Sequence, residues 1–213
     1  MEGRLGIAGG IAGPILLTIY FAAPALAKWP YAGASPKELV AYANAHPLLF
    51  YAGGWLQATG AALSILFFLV LLQLSGARGR LSGLITIVGC ALLLSVVVVE
   101  AALLEAVPMA ASAGDQATVA TTFALSNGVF ARIFPLAPAP LLFAGIGLAL
   151  LPSNLLPRGF GWSAVVIAVL FELAGVAAIF STVGLIFAII MSVVEAVWIA
   201  MSAVALALSR PAG

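Results

Sequence analysis

The chain has 213 residues, 64% of them hydrophobic and 7% charged, with a formal net charge of +1. A mean hydropathy of +1.25 excludes an ordinary soluble globular domain, and the lack of any dense basic cluster excludes a nucleic-acid surface. The lone cysteine, Cys90, sits in an apolar run, which excludes a disulfide scaffold and makes it small core filler.

Six apolar segments follow one another, each near the roughly 20 residues that cross a hydrocarbon core as a helix. The first covers about 5–27. Arg4 before an apolar run and Ala25-Leu26-Ala27 after it imitate a secretory signal, but the run from Leu5 to Ala27 exceeds an h-region of about 7 to 15 residues. We therefore expect a retained span. An outer connection then offers Ser35-Pro36-Lys37-Glu38, a cap, a first-turn proline and a reciprocal glutamate in order, which predicts a short interfacial helix from Pro36 to Ala45. Pro47 opens the second span, about 48–74, and Ser75 to Arg80 form a short inner connection to the third, about 81–107.

The second outer connection, Pro108 to Gly128, has Asp115 as a cap and Asn127-Gly128 as a stop, so another interfacial helix is expected there. The fourth span covers about 129–151, and Pro152 to Gly161 lead inward to the fifth at about 162–181 and the sixth at about 184–208. The reading is an all-α, polytopic integral membrane bundle of six transmembrane helices with short outer interfacial helices, a single domain over residues 1–213. Arg4, Arg78, Arg80, Arg158 and Arg210 share one face, against Lys28, Lys37 and Arg132 on the other, which places both termini in the cytoplasm. Trp29, Tyr31, Tyr42, Tyr51 and Trp55 mark the outer boundary as an aromatic belt, and Phe160 and Trp162 the inner one. Gly53, Gly54, Gly60, Gly145 and Gly147 allow close helix approach.

Four of the seven acids, Glu100, Glu105, Glu172 and Glu195, lie inside the spans. An ionised acid at a helix centre costs about 2.5 to 3.5 kcal/mol on insertion scales, so each needs a partner or a task. Desolvation favours the neutral, proton-bearing form, the state that suits a general acid or a proton relay. Glu172 and Glu195 fall near the centres of spans five and six, Glu100 in the outer half of span three and Glu105 near its outer end. Five residues separate Glu100 from Glu105, about 140° around a helix, so the two face different partners and Glu100 is the better site residue.

Gln57 lies at a depth similar to Glu100 and is placed to share a hydrogen bond with it, and Arg132 at the outer end of span four is placed to neutralise either acid. Trp198, three residues after Glu195, shares its face as a wall of an apolar site or as core. Gln57-Ala58-Thr59-Gly60 echoes Glu172-Leu173-Ala174-Gly175, and Val98-Val99-Glu100-Ala101 echoes Val193-Val194-Glu195-Ala196. A three-plus-three inverted repeat would gather Gln57, Glu100, Glu172 and Glu195 around a pseudo-two-fold axis. His46, the only histidine, belongs to an outer loop. No HExxH, cysteine pair or span histidine supports a metal or haem, and the residues specify no cofactor.

The stretch from Ala43 to Ala62, Val99-Glu100-Ala101-Ala102-Leu103-Leu104, Leu156-Pro157-Arg158-Gly159-Phe160-Gly161-Trp162 and Val194-Glu195-Ala196-Val197-Trp198 come in an order that resembles a bacterial family of six-span membrane proteins, domain of unknown function family 4386. The resemblance covers most of the chain. It implies a six-helix architecture in a bacterial inner membrane and aligns Glu100 and Glu195, with no reaction or ligand to transfer. This chain is richer in alanine and poorer in charge between its spans.

The partners expected from these residues are membrane lipid and a small lipophilic molecule, a proton or another cation, bound or transported at a buried glutamate site. A second expectation is a membrane isoprenoid cyclase or isomerase in which neutral Glu100 or Glu195 protonates an alkene and Trp198 or Phe171 shields the cation. The third is an accessory or assembly subunit whose glutamates fasten helices.

Overall fold

Apolar runs in lipid must satisfy every backbone group within the segment, and they do so as helices. In the computed structural model, which describes residues 2–30, 33–181 and 183–209, the chain forms α1 (Glu2–Leu26), α2 (Pro36–Ala45), α3 (Pro47–Leu74), α4 (Leu81–Ser112), α5 (Gln116–Gly128), α6 (Pro138–Leu150), α7 (Arg158–Phe180) and α8 (Gly184–Leu208). Among the described residues there is no strand. Among the described residues six helical stretches are long and apolar enough to cross a membrane, α5 and α6 acting together as one of them, so the protein is a multi-pass membrane protein surrounded by lipid. Tyr31 of the expected belt and Arg210 of the charge asymmetry lie outside the described residues.

The spans close a ring in chain order. α1 packs on α3, α3 on α4, α4 on α6, α6 on α7, α7 on α8, and α8 returns to α1. The ring closes tightly where glycines remove side-chain bulk. A Cβ on Gly13 of α1 would sit 2.8 Å from the carbonyl oxygen of Gly60 on α3, and one on Gly145 of α6 would sit 2.5 Å from the amide of Thr86 on α4. Phe68, Phe143, Phe171 and Trp198 fill the half of the bundle away from α2, with Phe68 and Trp198 stacked at 6.0 Å and Phe143 edge-on to Trp198 at 5.4 Å.

Two boundaries differ from the sequence reading. α4 runs through Pro108 to Ser112, because a proline inside a packed membrane helix is tolerated where neighbours satisfy the freed carbonyl. α5 ends at Gly128, but the Asn127-Gly128 pair does not release the chain from helix: the Asn127 side-chain amide donates back to the Phe123 carbonyl at 2.9 Å, and Gly128 keeps helical torsions. The helix instead widens to a π-turn over Val129–Ile133, where the Phe134 amide donates to the Val129 carbonyl at 3.0 Å. Pro135, Pro138 and Pro140 then lack the donors to continue the ladder, so the fourth span is made of two pieces.

The α2 cap forms as its sequence predicts. Ser35 Oγ accepts from the Glu38 amide at 3.3 Å, and the Glu38 carboxylate accepts from the Ser35 amide at 2.8 Å. These bonds favour the charged carboxylate and hold Glu38 below the ordinary glutamate value of 4.5. A depressed folded value means that the cap's contribution is complete above 4.5 and is lost as the pH falls through the lower, folded value. A carboxyl NMR titration is expected to place Glu38 below 4.5 in the wild type and to return it toward 4.5 in Ser35→Ala.

Candidate functional site

Glu100 is carried on α4 and turned into the ring, where it is 3% exposed. Its two carboxyl oxygens have different partners. Oε2 accepts from the Gln57 side-chain amide of α3 at 2.7 Å, and Oε1 accepts from the Tyr20 hydroxyl of α1 at 3.4 Å. Gln57 is itself 3% exposed, and its carbonyl oxygen has no hydrogen-bond partner. A buried amide oxygen without a donor costs about 1–3 kcal/mol, so this atom keeps acceptor capacity inside the bundle.

Glu100 divides two cavities. The larger, about 370 Å³, lies on the α2 side and is walled by Phe21 and Ala23 of α1, Trp29, Ala52 and Leu56 of α3, Leu104 of α4, Phe123 of α5 and Phe130 of the π-turn, with Tyr20 and Glu100 as polar groups and Ser126 and Asn127 beyond them. Trp29 lies 4.5 Å from Phe50, centroid to centroid, and 6.4 Å from Phe123, and these rings close the α2 end of the cavity. The Tyr42 hydroxyl ties α2 to the end of α1 by donating to the Ala27 carbonyl at 2.8 Å. The smaller cavity, about 40 Å³, is bordered by Gln57, Ser64, Glu100, Ser192 and Glu195 among apolar side chains that include Phe21 and Phe130. Glu195, 5% exposed, makes no hydrogen bond to a described residue.

The structure thus brings Gln57, Glu100 and Glu195 to one small space and leaves the other expected site residues elsewhere. Glu172 is exposed on the outer surface of α7 among Val169, Leu170, Leu173 and Val176, so the expected gathering of all four repeat residues is corrected. All faces of α7 are apolar, and a sequence pattern then has nothing with which to assign one residue to the inside. Glu105 is also exposed, as its 140° offset from Glu100 requires. Arg132 is exposed and does not reach either acid. Its Nε donates at 3.2 Å to the Ala178 carbonyl, one of the last four of α7 and therefore without a helical donor. Trp198 lines neither cavity: its indole donates to Ser163 Oγ at 3.0 Å and to the Phe160 carbonyl at 3.3 Å, fastening α8 to α7. Phe171 is core beside Phe143.

Sequence reasoning missed Tyr20, Phe21, Trp29, Phe123 and Phe130. The phenol of Tyr20, a polar group inside a span, was the one local signal available, and the rest are placed by helix spacing alone. Trp29, expected in the interfacial belt, turns inward, whereas Trp55 remains 59% exposed as a belt residue would.

Because Glu172 faces outward without a hydrogen bond to a described residue, replacing it with an apolar side chain removes a polar group from the lipid-facing surface. Glu172→Leu is expected to raise stability by on the order of 2 kcal/mol, read as a higher melting temperature in detergent. A lowered melting temperature would show that the carboxyl serves a contact.

No family model matches the sequence, and no curated protein or solved structure shows significant similarity to it.

Proposed function

We propose that the protein binds a small lipophilic molecule carrying one cationic or hydrogen-bond-donating head, with the apolar body in the larger cavity and the head at Glu100 Oε1. The observation that carries this reading is a single buried carboxyl at the wall of an otherwise apolar, aromatic-lined space of about 370 Å³. Small-molecule sites have this character: volumes of roughly 300–1,000 Å³, apolar walls and few polar groups that fix orientation. Phe21, Trp29, Phe123 and Phe130 present ring faces and edges that suit an alkyl body or an organic cation.

Extraction in native membrane nanodiscs followed by mass spectrometry tests the reading. One lipophilic species enriched with the wild type, lost from Glu100→Gln and from the cavity-filling Leu104→Trp, and retained by Glu172→Gln, is the expected result. Bulk lipid alone in every sample would count against it.

A second reading, that the bound molecule is also moved, has one observation in its favour. The fourth span is interrupted by the π-turn and its prolines beside the cavity that Phe130 lines, and interrupted helices at membrane depth are found where a span borders a cavity or a transport path. Proteoliposomes that hold the enriched species on one side and show no protein-dependent flux would reduce the function to binding. The setting we propose is a bacterial inner membrane with both termini cytoplasmic. It is supported by the arginine asymmetry and by the resemblance to domain of unknown function family 4386. A C-terminal green fluorescent protein fusion that stays dark while a C-terminal phosphatase fusion is active would reverse the orientation.

A further inference from the structure

We infer that the smaller cavity is a site for a monovalent metal cation, sodium by size, held by Gln57, Glu195 and the Oε2 side of Glu100. This goes beyond the ligand reading, since it concerns a different space and stands on different oxygen atoms. The polar groups of the cavity present lone pairs, set among apolar side chains such as Leu93, Phe130 and Phe134. The Gln57 amide nitrogen is spent on Glu100, which leaves its carbonyl oxygen facing no donor. Ser64 Oγ donates to the Gly60 carbonyl and Ser192 Oγ to the Ala188 carbonyl, each at 2.9 Å, so both hydroxyl oxygens keep only acceptor capacity. Glu195 has no hydrogen-bond partner among the described residues, and no basic side chain borders the space.

An occupant that engages these polar groups must be electropositive. An anion would meet only acceptors. An organic cation is excluded by size, because about 40 Å³ admits one ion with a water or two, given that a single water needs at least about 10–15 Å³. Oxygen donors of this kind suit hard cations, and a divalent ion would need the full charge of both carboxyls, whereas Glu100 also faces Tyr20 and the larger cavity. No group of three or more His, Cys, Asp or Glu assembles among the described residues. A monovalent ion satisfies the unpaired Gln57 oxygen and offsets Glu195 in one step. Glu195 beside the smaller cavity and Glu100 between the two are then balanced by one cation in the smaller and one cationic head in the larger.

The test is thermal unfolding of the purified wild type in sodium, potassium or N-methylglucamine chloride at equal ionic strength. A cation that binds only the folded state raises the melting temperature saturably with its concentration. We expect a rise of several degrees in sodium, a smaller one in potassium and none in N-methylglucamine, with the sodium response lost in Glu195→Gln and in Gln57→Leu. Where either variant fails to fold, equilibrium binding of radioactive sodium to the wild type decides: about one displaceable ion per chain supports the site, and none overturns it. Identical melting in all three salts, the result expected if protons or water alone occupy the space, overturns the assignment, as does a sodium response that both folded variants retain. Loss of the lipophilic species alone would leave this result unchanged, so the two readings fail separately.

Discussion

Decylamine is expected to bind the wild type and to bind Glu100→Gln roughly 30-fold more weakly or worse. Removing one member of a buried, hydrogen-bonded charge pair costs about 2–5 kcal/mol, and about 1.4 kcal/mol is a tenfold change in affinity. The alkyl chain should contribute equally in both proteins, because the walls formed by Phe21, Leu104, Phe123 and Phe130 are untouched by the substitution. Decanol, with the same body and a neutral head, should therefore lose less than about tenfold, the scale of one hydrogen bond between neutral groups. Leu104→Trp should abolish binding of both, since it occupies the space and leaves the carboxyl in place. Calorimetric titration in detergent measures all three. Equal affinity of decylamine for the wild type and Glu100→Gln would remove Glu100 from the site, and equal affinity for Leu104→Trp would remove the cavity.

Gly13→Leu is expected to cost about 3 kcal/mol or more, at the upper end of what overpacking brings in a closely fitted interior. A Cβ at position 13 meets the Ser64 hydroxyl first and then two backbone atoms, the Gly60 carbonyl oxygen and the Ser64 amide, each at 2.8 Å. A flexible side chain can turn aside, but a helix backbone moves only with its whole helix. α1 would have to leave α3, and with it would go Tyr20, Phe21 and the closure of the ring against α8. Gly159→Ala is the matched control, since nothing lies within 4 Å of its Cβ position on α7. It should be neutral or stabilising by up to about 1 kcal/mol, the gain in helix propensity. A melting temperature for Gly13→Leu equal to that of Gly159→Ala would mean that the α1–α3 approach is not as close as described.

Span number, the α2 cap and the pairing of Gln57 with Glu100 were legible because each rests on something local. Length sets the first, the Ser35-Pro36-Lys37-Glu38 order the second, and equal depth on adjacent spans the third. Glu105 was separable from Glu100 by helical angle alone. Glu172 was not legible, because an apolar helix in lipid has no polar face to contrast with its buried one, and the usual amphipathic signal vanishes. The π-turn was hidden for a related reason. Asn127-Gly128 carries a stop signal that holds when the chain can leave for water, but here the helix continues into the ring and meets its real obstacle at Pro135, Pro138 and Pro140. Neither cavity has a sequence signature, since an unfilled space is a property of how six helices are spaced and not of any one of them.

The two-sided hydrogen bonding of Glu100 also limits which side chain can stand at that position. Donors arrive from opposite directions, the Tyr20 hydroxyl at Oε1 and the Gln57 amide at Oε2. A carboxylate offers lone pairs to both, whichever way its terminal torsion turns. An amide of identical shape keeps both partners only by donating its N–H₂ to one of them, which requires the Tyr20 hydroxyl to turn from donor to acceptor. Aspartate keeps the symmetry but falls a methylene short. Position 100 therefore favours a symmetric acceptor of glutamate length, and a glutamine there would change the sense of the bond to Tyr20.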